Sequence, residues 1–448
     1  MKNQGWNALN YGATIDSTWR QRYLVKGLSL NNIVLEFVPP PQRENRDMRN
    51  YKPDAIGPLD GLRILDMTRV VAGNELTVIL ADFGADVIKI ETPGKGDDLR
   101  NWKTEGISTH WKVYSRNKRS LTLNLRDDKA KEIFVKLVAS ADAVVENFRP
   151  GTMEKMGFGP DRLHEINPKL VLVRISGWGQ DGMYQHKPGF GTLIEAMSGF
   201  AASNGFEDRP PVLPAFAMAD MIAGLTGASA ILAAIRHVEV KGGKGQVIDL
   251  PLFDPLFSIQ GPLAANFKVT GKVPPRMGSR FTMAAPRNTY QCEDGKWVAL
   301  SASTQGMWEQ FAHSIGQKEL IEDARFKTNS DRLKNVDELD EIVGDFMKSH
   351  GRDYILDHFD KAGITVGPVS DIEDLIDHPY IKDREIIVEL PDEELGTLPM
   401  HTVTARLSET PGEFRRPAPK LGEHNAEILG EFGIDADALT DLEKNGVI

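Results

Sequence analysis

Between positions 58 and 251, short apolar stretches alternate with longer stretches of amphipathic pattern. Short continuous apolar stretches are typical of strands buried on both faces, and apolar residues three or four positions apart are typical of helices. The predicted strands are 62–67, 87–90, 143–148, 170–176 and 246–250, and the predicted helices are 75–83, 127–140 and 160–166. This alternation predicts an α/β fold with a doubly wound, mostly parallel, Rossmann-like sheet, right-handed crossovers and helices on both faces.

The ends of the predicted strands carry polar and aromatic residues. Thr68-Arg69-Val70 lies at the end of the first strand, Asn147-Phe148-Arg149 at the end of the third, and Ser176-Gly177-Trp178-Gly179 at the end of the fourth. Ligands of open parallel sheets bind beyond the carboxyl ends of the strands, so these segments predict a binding site. Glu91 stands where dinucleotide-binding folds carry an acid that binds ribose. The turn before it has one glycine, Gly73, and not the three of that fingerprint, so a nicotinamide dinucleotide is disfavoured.

A long apolar helix is predicted to begin at Asp220, and no other ionisable residue follows before Arg236. Gly224 and Gly227 keep one side of this helix small, so that another element can pack close to it. A carboxylate at a helix start is stabilised by the unpaired N–H groups and by the positive end of the dipole. Such a carboxylate can serve as an ionised nucleophile or as an ordinary N-cap, and the N-cap is the commoner case. The pattern alone leaves both interpretations open.

The regular alternation of predicted strands and helices ends after Pro251. A hairpin is predicted from 289–292 and 296–302, polar helices at 304–315 and within 331–361, strands at 364–369 and 385–390, and a last helix at 426–432. We therefore predict four segments. They are an N-terminal extension at 1–57, a large domain at 58–255, a smaller α+β domain at 256–390, and a C-terminal segment at 391–448.

Composition narrows the class of protein. The chain has 448 residues, 41% of them hydrophobic and 26% charged, with a net charge of −11, which argues against general nucleic-acid binding. A single cysteine, Cys292, rules out an internal disulfide and fits a reducing compartment. The histidines show no paired metal-ligand spacing, so no metal is predicted. We find no apolar signal segment and no run of 18 apolar residues, and expect a cytoplasmic protein without a membrane partner.

Between 92 and 156, basic residues stand beside aromatic and apolar ones. The basic residues are Arg100, Lys118, Arg119, Arg126, Arg149 and Lys155, and Trp102 is one of the aromatic residues. This combination suits a ligand with phosphates and a flat base. The charge pattern by itself is equally that of solvated helix ends, which is the commoner outcome.

Short motifs recur along the chain in one order. They include Val71-Ala72-Gly73, Gly84-Ala85-Asp86-Val87-Ile88-Lys89-Ile90-Glu91, Asn117-Lys118-Arg119-Ser120, Glu146-Asn147-Phe148-Arg149-Pro150-Gly151, Gly177-Trp178-Gly179, Ala196-Met197-Ser198-Gly199 and Leu421-Gly422-Glu423-His424. From about 58 to 448 the chain resembles the family III coenzyme A transferases, a group that includes formyl-CoA transferase, carnitine-CoA transferase and the α-methylacyl-CoA racemases.

The resemblance implies a fold and an activity. It implies that the C-terminal segment returns to the large domain and that two subunits interlock as a homodimer. It implies CoA transfer from an acyl-CoA to a carboxylic acid, with Asp220 as the catalytic nucleophile that forms aspartyl anhydride and aspartyl-CoA intermediates. CoA is then a substrate, and no tightly bound cofactor is expected.

The resemblance also assigns binding residues. Those expected to bind CoA are Val70, Val71, Leu123, Arg126, Asn147, Phe148, Arg149, Lys155 and Met156, and those expected to line the acyl pocket are Trp102 and Phe190. Met277-Gly278-Ser279 occupies the region of the glycine loop that supplies oxyanion donors in formyl-CoA transferase. Two alternatives remain. One is a racemase, which needs a histidine as second base where this chain has Phe190. The other is a non-catalytic CoA-binding subunit of a heteromeric transferase.

Overall fold

The structure is a computed structural model that describes residues 23–26, 34–37 and 48–448. Most of the predicted extension at 1–57 therefore lies outside the described residues. Within it, β1 (Tyr23–Lys26) and β2 (Val34–Phe37) pair as an antiparallel hairpin.

The large α/β unit begins at β3. Its strands are β3 (Arg63–Asp66), β4 (Asp86–Glu91), β5 (Arg119–Thr122), β6 (Ala143–Glu146), β7 (Val171–Ser176) and β8 (Val247–Pro251). Its helices are α1 (Ala72–Asp82), α2 (Thr109–Tyr114), α3 (Asp128–Ala139), α4 (Thr152–Lys155), α5 (Pro160–Ile166), α6 (Gly191–Met197), α7 (Phe200–Ser203), α8 (Met218–Lys241), α9 (Phe253–Ser258) and α10 (Leu263–Thr270), with a 3₁₀ turn at Asp98–Asn101.

The six strands form one sheet in the order β5-β4-β3-β6-β7-β8, and every neighbouring pair is parallel. The predicted doubly wound α/β fold is confirmed. The chain winds outward from β3 in one direction and then from β6 in the other, so a topological switch point lies between the carboxyl ends of these two strands. This is where open sheets of this kind bind their ligands.

Side-chain alternation along the strands divides the core into two layers. In β3, Leu65 joins the cluster under α3 and α5, whereas Ile64 joins the cluster under α1 and α8. Successive strand residues point to opposite faces, so a sheet covered on both sides needs apolar residues at every position. This explains the short continuous apolar stretches of the sequence.

A third apolar cluster, formed by residues between 285 and 364, lies between a small sheet and the helices that follow it. The three-stranded sheet has the order β11-β10-β9, formed by β9 (Arg287–Gln291), β10 (Trp297–Ser301) and β11 (Val366–Pro368). The helices are α11 (Gln305–Ser314), α12 (Asn329–Lys334), α13 (Val336–Lys348), α14 (Arg352–Lys361), α15 (Ile372–Ile376) and α16 (Pro379–Asp383), with a 3₁₀ turn at Lys318–Ile321. Trp308, Phe311 and Phe359 are fully buried at its centre. The predicted boundaries of this domain, 256–390, stay a prediction.

The last part of the chain contains the hairpin β12 (Ile387–Asp392) and β13 (Gly396–His401), then α17 (Asn425–Gly430) and α18 (Ala436–Lys444). The hairpin forms a small apolar cluster of its own, whereas the two helices pack on the large sheet. Ile428, Leu429 and Val447 join the core cluster that holds Leu65 and Phe134. Arg119 on the edge strand β5 pairs with Glu427 at 2.9 Å and with Glu431 at 2.6 Å. The C-terminal segment therefore completes the core of the large unit.

The described end of the extension is fixed to the same region. The backbone N–H of Lys52 donates to the carbonyl of Phe414 at 2.8 Å, and Tyr51 packs against the cluster formed by β12, β13 and Phe414. Residues 48–52 thus lie against the C-terminal part of the chain, and Gly57 packs against Phe83 and Gly84.

Helix α8 begins earlier than predicted. Met218 is its first residue and Ala217 takes the N-cap position, so Asp220 is the third helical residue. The N-cap interpretation of Asp220 is therefore wrong. By length and composition α8 could cross a membrane, but core helices pass the same test, and 44% of the apolar window is already buried.

Candidate active site

A cavity of about 1400 Å³ opens at the carboxyl ends of the central strands. Its walls come from the segment after β3, the segment after β6, the loop from Ser176 to the start of α6, and the residues that lead into α8. The cavity lies at the topological switch point that the strand order defines. Asp220 is one of its lining residues.

Asp220 reaches the cavity because α8 packs close to α1. A β-carbon at Gly224 would lie 2.6 Å from Cγ of Glu75, and one at Gly227 would lie 2.4 Å from Cδ1 of Leu76. The two glycines therefore permit a helix contact that larger residues would block. As a result the N-terminus of α1 faces Asp220, and the backbone N–H of Ala72 is near enough to lower the pKa of its carboxylate.

Burial, and to a smaller extent the nearby carboxylate of Glu195, raise the pKa of Asp220 to about 6, although the N–H groups of Ala72 and of Asp220 itself counteract part of the increase. The group is therefore mostly ionised at pH 7 but more basic than an exposed aspartate. A desolvated carboxylate held by backbone N–H groups is a suitable nucleophile.

Two residues around Asp220 were not singled out from the sequence. A β-carbon at Gly191 would lie 2.4 Å from Oδ2 of Asp220, so only glycine leaves room for that oxygen. Glu195, four residues further along α6, is 4% exposed, lines the cavity, and accepts a hydrogen bond from the N–H of Ala219 at 3.2 Å. The four-residue spacing places both on one face of a helix, but nothing in the pattern indicates that this face meets α8.

The segment after β3 is held in an unusual conformation. Val70 has a φ of 63°, in the left-handed region that β-branched residues rarely adopt and that costs about 1–3 kcal/mol. Its N–H donates to Oδ1 of Asp97 at 2.9 Å, and its carbonyl accepts from Nδ2 of Asn74 at 2.6 Å. These bonds fix Val70 and Val71 at the cavity wall.

A buried ionic network supports this segment from below. Lys89 pairs with Asp66 at 3.1 Å and with Asp97 at 3.0 Å, and Lys118 pairs with Asp66 at 3.2 Å. Burial disfavours the Asp66 carboxylate, but the two lysines outweigh it and hold the pKa of Asp66 well below its usual range. Burial lowers the pKa of Lys118 to about 8, although Asp66 opposes this. Lys118 is therefore neither a phosphate ligand at the surface nor a solvated helix end.

Of the other predicted cationic positions, one is paired within the protein and one is available to a ligand. Arg100 pairs with Glu91 at 2.7 Å and stacks 3.6 Å from the ring centre of Trp111. Glu91 thus holds an arginine, in addition to accepting from Ser120 at 2.8 Å, and is not presented to a ribose. Arg149, in contrast, is exposed and lines the cavity.

Aromatic side chains form the rim of the cavity. Trp102 is 42% exposed and meets His110 edge-on with ring centres 5.5 Å apart, and Phe190 is 67% exposed. Both line the cavity, together with His110 and Tyr114 from α2. In the described part of the chain, no group of three or more His, Cys, Asp or Glu side chains is placed as a metal site would need.

A family model described as CoA-transferase family III matches residues 59–425. This chain belongs to the family III CoA-transferases. Succinyl-CoA–D-citramalate CoA-transferase of Chloroflexus aurantiacus is 36% identical over 395 residues, which cover 87% of this chain and 98% of the relative. The beta subunit of succinyl-CoA–L-malate CoA-transferase from the same organism is 38% identical over 398 residues, 87% of this chain and 98% of its own.

Solved structures agree with this assignment. A CAIB/BAIF family protein from Brucella suis superposes with a TM-score of 0.75 at 33% identity, covering 84% of this chain and 99% of that protein. The family resemblance predicted from the motifs is confirmed, and the chain is a CoA-transferase. The interlocked dimer that the resemblance also implies stays a prediction.

Five of the nine positions expected to bind CoA line the cavity of this transferase, namely Val70, Val71, Asn147, Phe148 and Arg149. Asn147 joins the two strand ends across the switch point, because its side chain accepts from the N–H of Arg69 at 2.9 Å and donates to the carbonyl of Arg69 at 2.8 Å. The guanidinium of Arg69 lies 5.7 Å from the ring centre of Phe148. An aromatic ring and two arginines thus share one side of the cavity.

The remaining four positions lie elsewhere in the described residues. Leu123 is 3% exposed within the core cluster, and Met156 packs against that cluster. Arg126 and Lys155 are exposed outside the cavity lining. Their part in binding CoA stays a prediction.

The segment expected to supply oxyanion donors also lies apart from Asp220 in this chain. Met277 forms a bridge with Phe206, and a β-carbon at Gly278 would lie 2.4 Å from the ring of Phe206. Among the described residues that line the cavity, none comes from this segment.

Proposed function

We propose that this CoA-transferase moves CoA from an acyl-CoA donor to a free carboxylic acid, with Asp220 as the covalent nucleophile. The observation that carries the proposal is the position of the Asp220 carboxylate, which lines the cavity at the switch point, beside the first N–H of α1. A carboxylate nucleophile divides one difficult exchange into easier steps.

In the first half of the reaction the Asp220 carboxylate attacks the donor thioester. The carbon–sulfur bond breaks, which leaves an aspartyl-acyl anhydride and CoA thiolate. The thiolate then attacks the aspartyl carbonyl of the anhydride, so that the donor acid leaves as a carboxylate and Asp220 carries CoA as a thioester.

In the second half the acceptor carboxylate attacks the aspartyl-CoA carbonyl and releases CoA thiolate, which forms a second anhydride. The thiolate attacks the acceptor carbonyl of this anhydride, and the new acyl-CoA and free Asp220 are produced. The N–H of Ala72 can stabilise the negative charge that develops on the aspartyl oxygen in each of these steps.

The proposed binding mode for CoA follows the chemistry of the cavity walls. Arg69 and Arg149 present guanidinium groups that suit phosphates, and the Phe148 ring lies beside Arg69. Trp102 and Phe190 add apolar surface to the cavity for the acyl part. The two Chloroflexus relatives are named for succinyl-CoA with a hydroxylated dicarboxylic acid, and we propose short dicarboxylic acids as the first donors and acceptors to try.

We also propose that the active protein is a homodimer. Leu225 and Leu232, seven residues apart on α8, and Phe267 on α10 are exposed apolar side chains in the described chain. A second copy that covers them would bury this surface. One relative is named as a beta subunit, so a heteromeric partner is the alternative occupant of the same surface.

The nucleophile is tested with the Asp220→Ala variant and hydroxylamine. The wild-type protein incubated with acyl-CoA and hydroxylamine should yield a hydroxamate on the peptide that contains Asp220, and the variant should lose CoA exchange by a factor of 10³ or more, on the order of losses seen when a covalent nucleophile is removed. CoA binding by the variant should change little. Retained exchange in the variant would remove Asp220 from the mechanism, and α-proton exchange in heavy water without CoA transfer would favour the racemase.

A further inference from the structure

A second buried carboxylate lies beside Asp220 in the cavity lining. Glu195 on α6 and Asp220 on α8 both line the cavity. Glu195 is almost completely buried, and its Oε1 accepts the N–H of Ala219, the residue immediately before Asp220. It therefore uses a first-turn donor of α8 that would otherwise be available to stabilise negative charge at the start of that helix.

The groups that face Asp220 from neighbouring elements are few. The N-terminus of α1 offers the Ala72 N–H and, one turn later, Glu75; the cavity walls add Arg69, Asp98, His110, Tyr114, Arg149 and Lys187. Glu195 is the carboxylate whose charge acts directly on Asp220. Glu75 has Arg116, Asp82 and Lys118 as its charged neighbours.

We infer that Glu195 is a positioning residue that destabilises the free Asp220 carboxylate and thereby favours the covalent intermediates. Repulsion between the two charges exists only while Asp220 is ionised. Acylation turns the Asp220 carboxylate into a neutral anhydride or thioester, so formation of either intermediate relieves the repulsion. The inference rests on the proposed function, in which Asp220 is the nucleophile.

The same coupling has to appear in two measurements. Protonation and acylation both remove the negative charge of Asp220, so a neighbouring charge changes both equilibria in the same direction. A one-unit change in the pKa of Asp220 corresponds to a tenfold change in either equilibrium.

Glu195→Gln is the informative variant, because glutamine keeps an oxygen for the Ala219 N–H and removes only the charge. We expect the acidic limb of the pH profile of kcat/KM to shift downward by about one unit, and the equilibrium amount of aspartyl-CoA formed from succinyl-CoA at pH 8 to fall about tenfold. Asp249→Asn, which removes the charge of another carboxylate that accepts a backbone N–H but does not line the cavity, is the matched control and should leave both unchanged. An unshifted limb in Glu195→Gln would reduce Glu195 to a structural role and overturn the inference.

A second measurement does not depend on substrate choice. In a double-mutant cycle at pH 8, Asp220→Asn should raise the melting temperature less in the Glu195→Gln background than in the wild-type background. Equal gains in the two backgrounds would show that the charges are not coupled. If instead Asp220→Ala retains exchange, the proposed function fails, and the cycle still reports whether the two carboxylates interact.

Discussion

Opposing local influences set the charge of Asp220. Burial and Glu195 raise the pKa of this carboxyl group to about 6, and the N–H groups of Ala72 and of Asp220 itself lower it. Because the ordinary value is 3.8, the folded protein binds this proton more tightly than the unfolded chain does. Ionisation of Asp220 therefore costs folding free energy at the pH where the ionised form is needed for catalysis.

Asp220→Asn should accordingly make the protein more stable and inactive. The wild-type penalty is absent below about pH 4, grows as pH rises through the folded pKa, and is complete above about pH 7, where two pKa units correspond to about 2–3 kcal/mol. Thermal unfolding should show a higher melting temperature for Asp220→Asn at pH 8 and no difference at pH 4. A variant less stable than wild type at pH 8 would contradict the high pKa of Asp220.

At this scale the sequence predicts single residues better than it predicts pairs. Asp220 is conspicuous because it is the lone acid of an apolar segment. Gly191 and Glu195 are not conspicuous, because their importance depends on α6 meeting α8. Val70 is a similar case, since the Asp97 carboxylate that accepts its N–H lies 27 residues further along the chain.

At the scale of elements, the contact between α1 and α8 fixes the geometry of the nucleophile. The close approach at Gly224 brings the first N–H of α1 to Asp220. A β-carbon at Gly224 would lie 2.8 Å from Cβ of Glu75 and 3.1 Å from the carbonyl oxygen of Ala72, and neither atom can move without its backbone.

Gly224→Ala should therefore push the two helices apart. We expect a loss of about 1–3 kcal/mol in the free energy of unfolding, as for overpacked cores, together with a fall in kcat because Ala72 N–H moves away from Asp220. Gly306→Ala on α11 is the matched control, since a β-carbon there meets open space. The control should gain about 0.5–1 kcal/mol from helix propensity. Equal responses of the two variants in urea unfolding would argue against a tight contact between α1 and α8.

Elements with strong apolar patterns were predicted well, and those without them were not. The strands at 62–67, 87–90 and 170–176 and the helix at 160–166 are confirmed within a few residues by β3, β4, β7 and α5. Strand β5 was not predicted, because Arg119-Ser-Leu-Thr has little apolar character. Ion pairs of Arg119 with Asp86 and Glu431 hold this strand at the edge of the sheet, and no local sequence pattern reveals these pairs.

At the scale of the whole molecule, the exposed apolar side of α8 bears on assembly. Leu225 is 56% exposed in the described chain and follows Asp220 by five residues on the same helix. A partner that covers this side would also hold α8 against α1, and so would stabilise the nucleophile.

We expect the double variant Leu225→Asp with Leu232→Asp to dissociate the homodimer. Two charges in a buried apolar contact cost several kcal/mol, so light scattering should report the mass of one 49.6 kDa chain for the variant and of two for wild type. Leu395→Asp, at the exposed turn between β12 and β13, is the control and should stay dimeric. A wild-type mass of one chain would contradict the homodimer and direct attention to a different partner.

The hydrophobic pattern could not predict which distant segments of the chain pack together. Alternating strands and helices predicted the large sheet, but they gave no indication that residues after 391 would pack on it. That relation came only from the resemblance to a family, because a pattern within one segment carries no information about a segment 300 residues away.

The burial of Ile428, Leu429 and Val447 beneath β5 and α3 has a consequence for synthesis in the cell. The first α/β half emerges from the ribosome early, yet one of its apolar layers stays open to solvent until about 300 further residues have been translated. During that interval the nascent chain exposes the cluster around Leu65 and Phe134, so it is at its most vulnerable to aggregation and most in need of a chaperone.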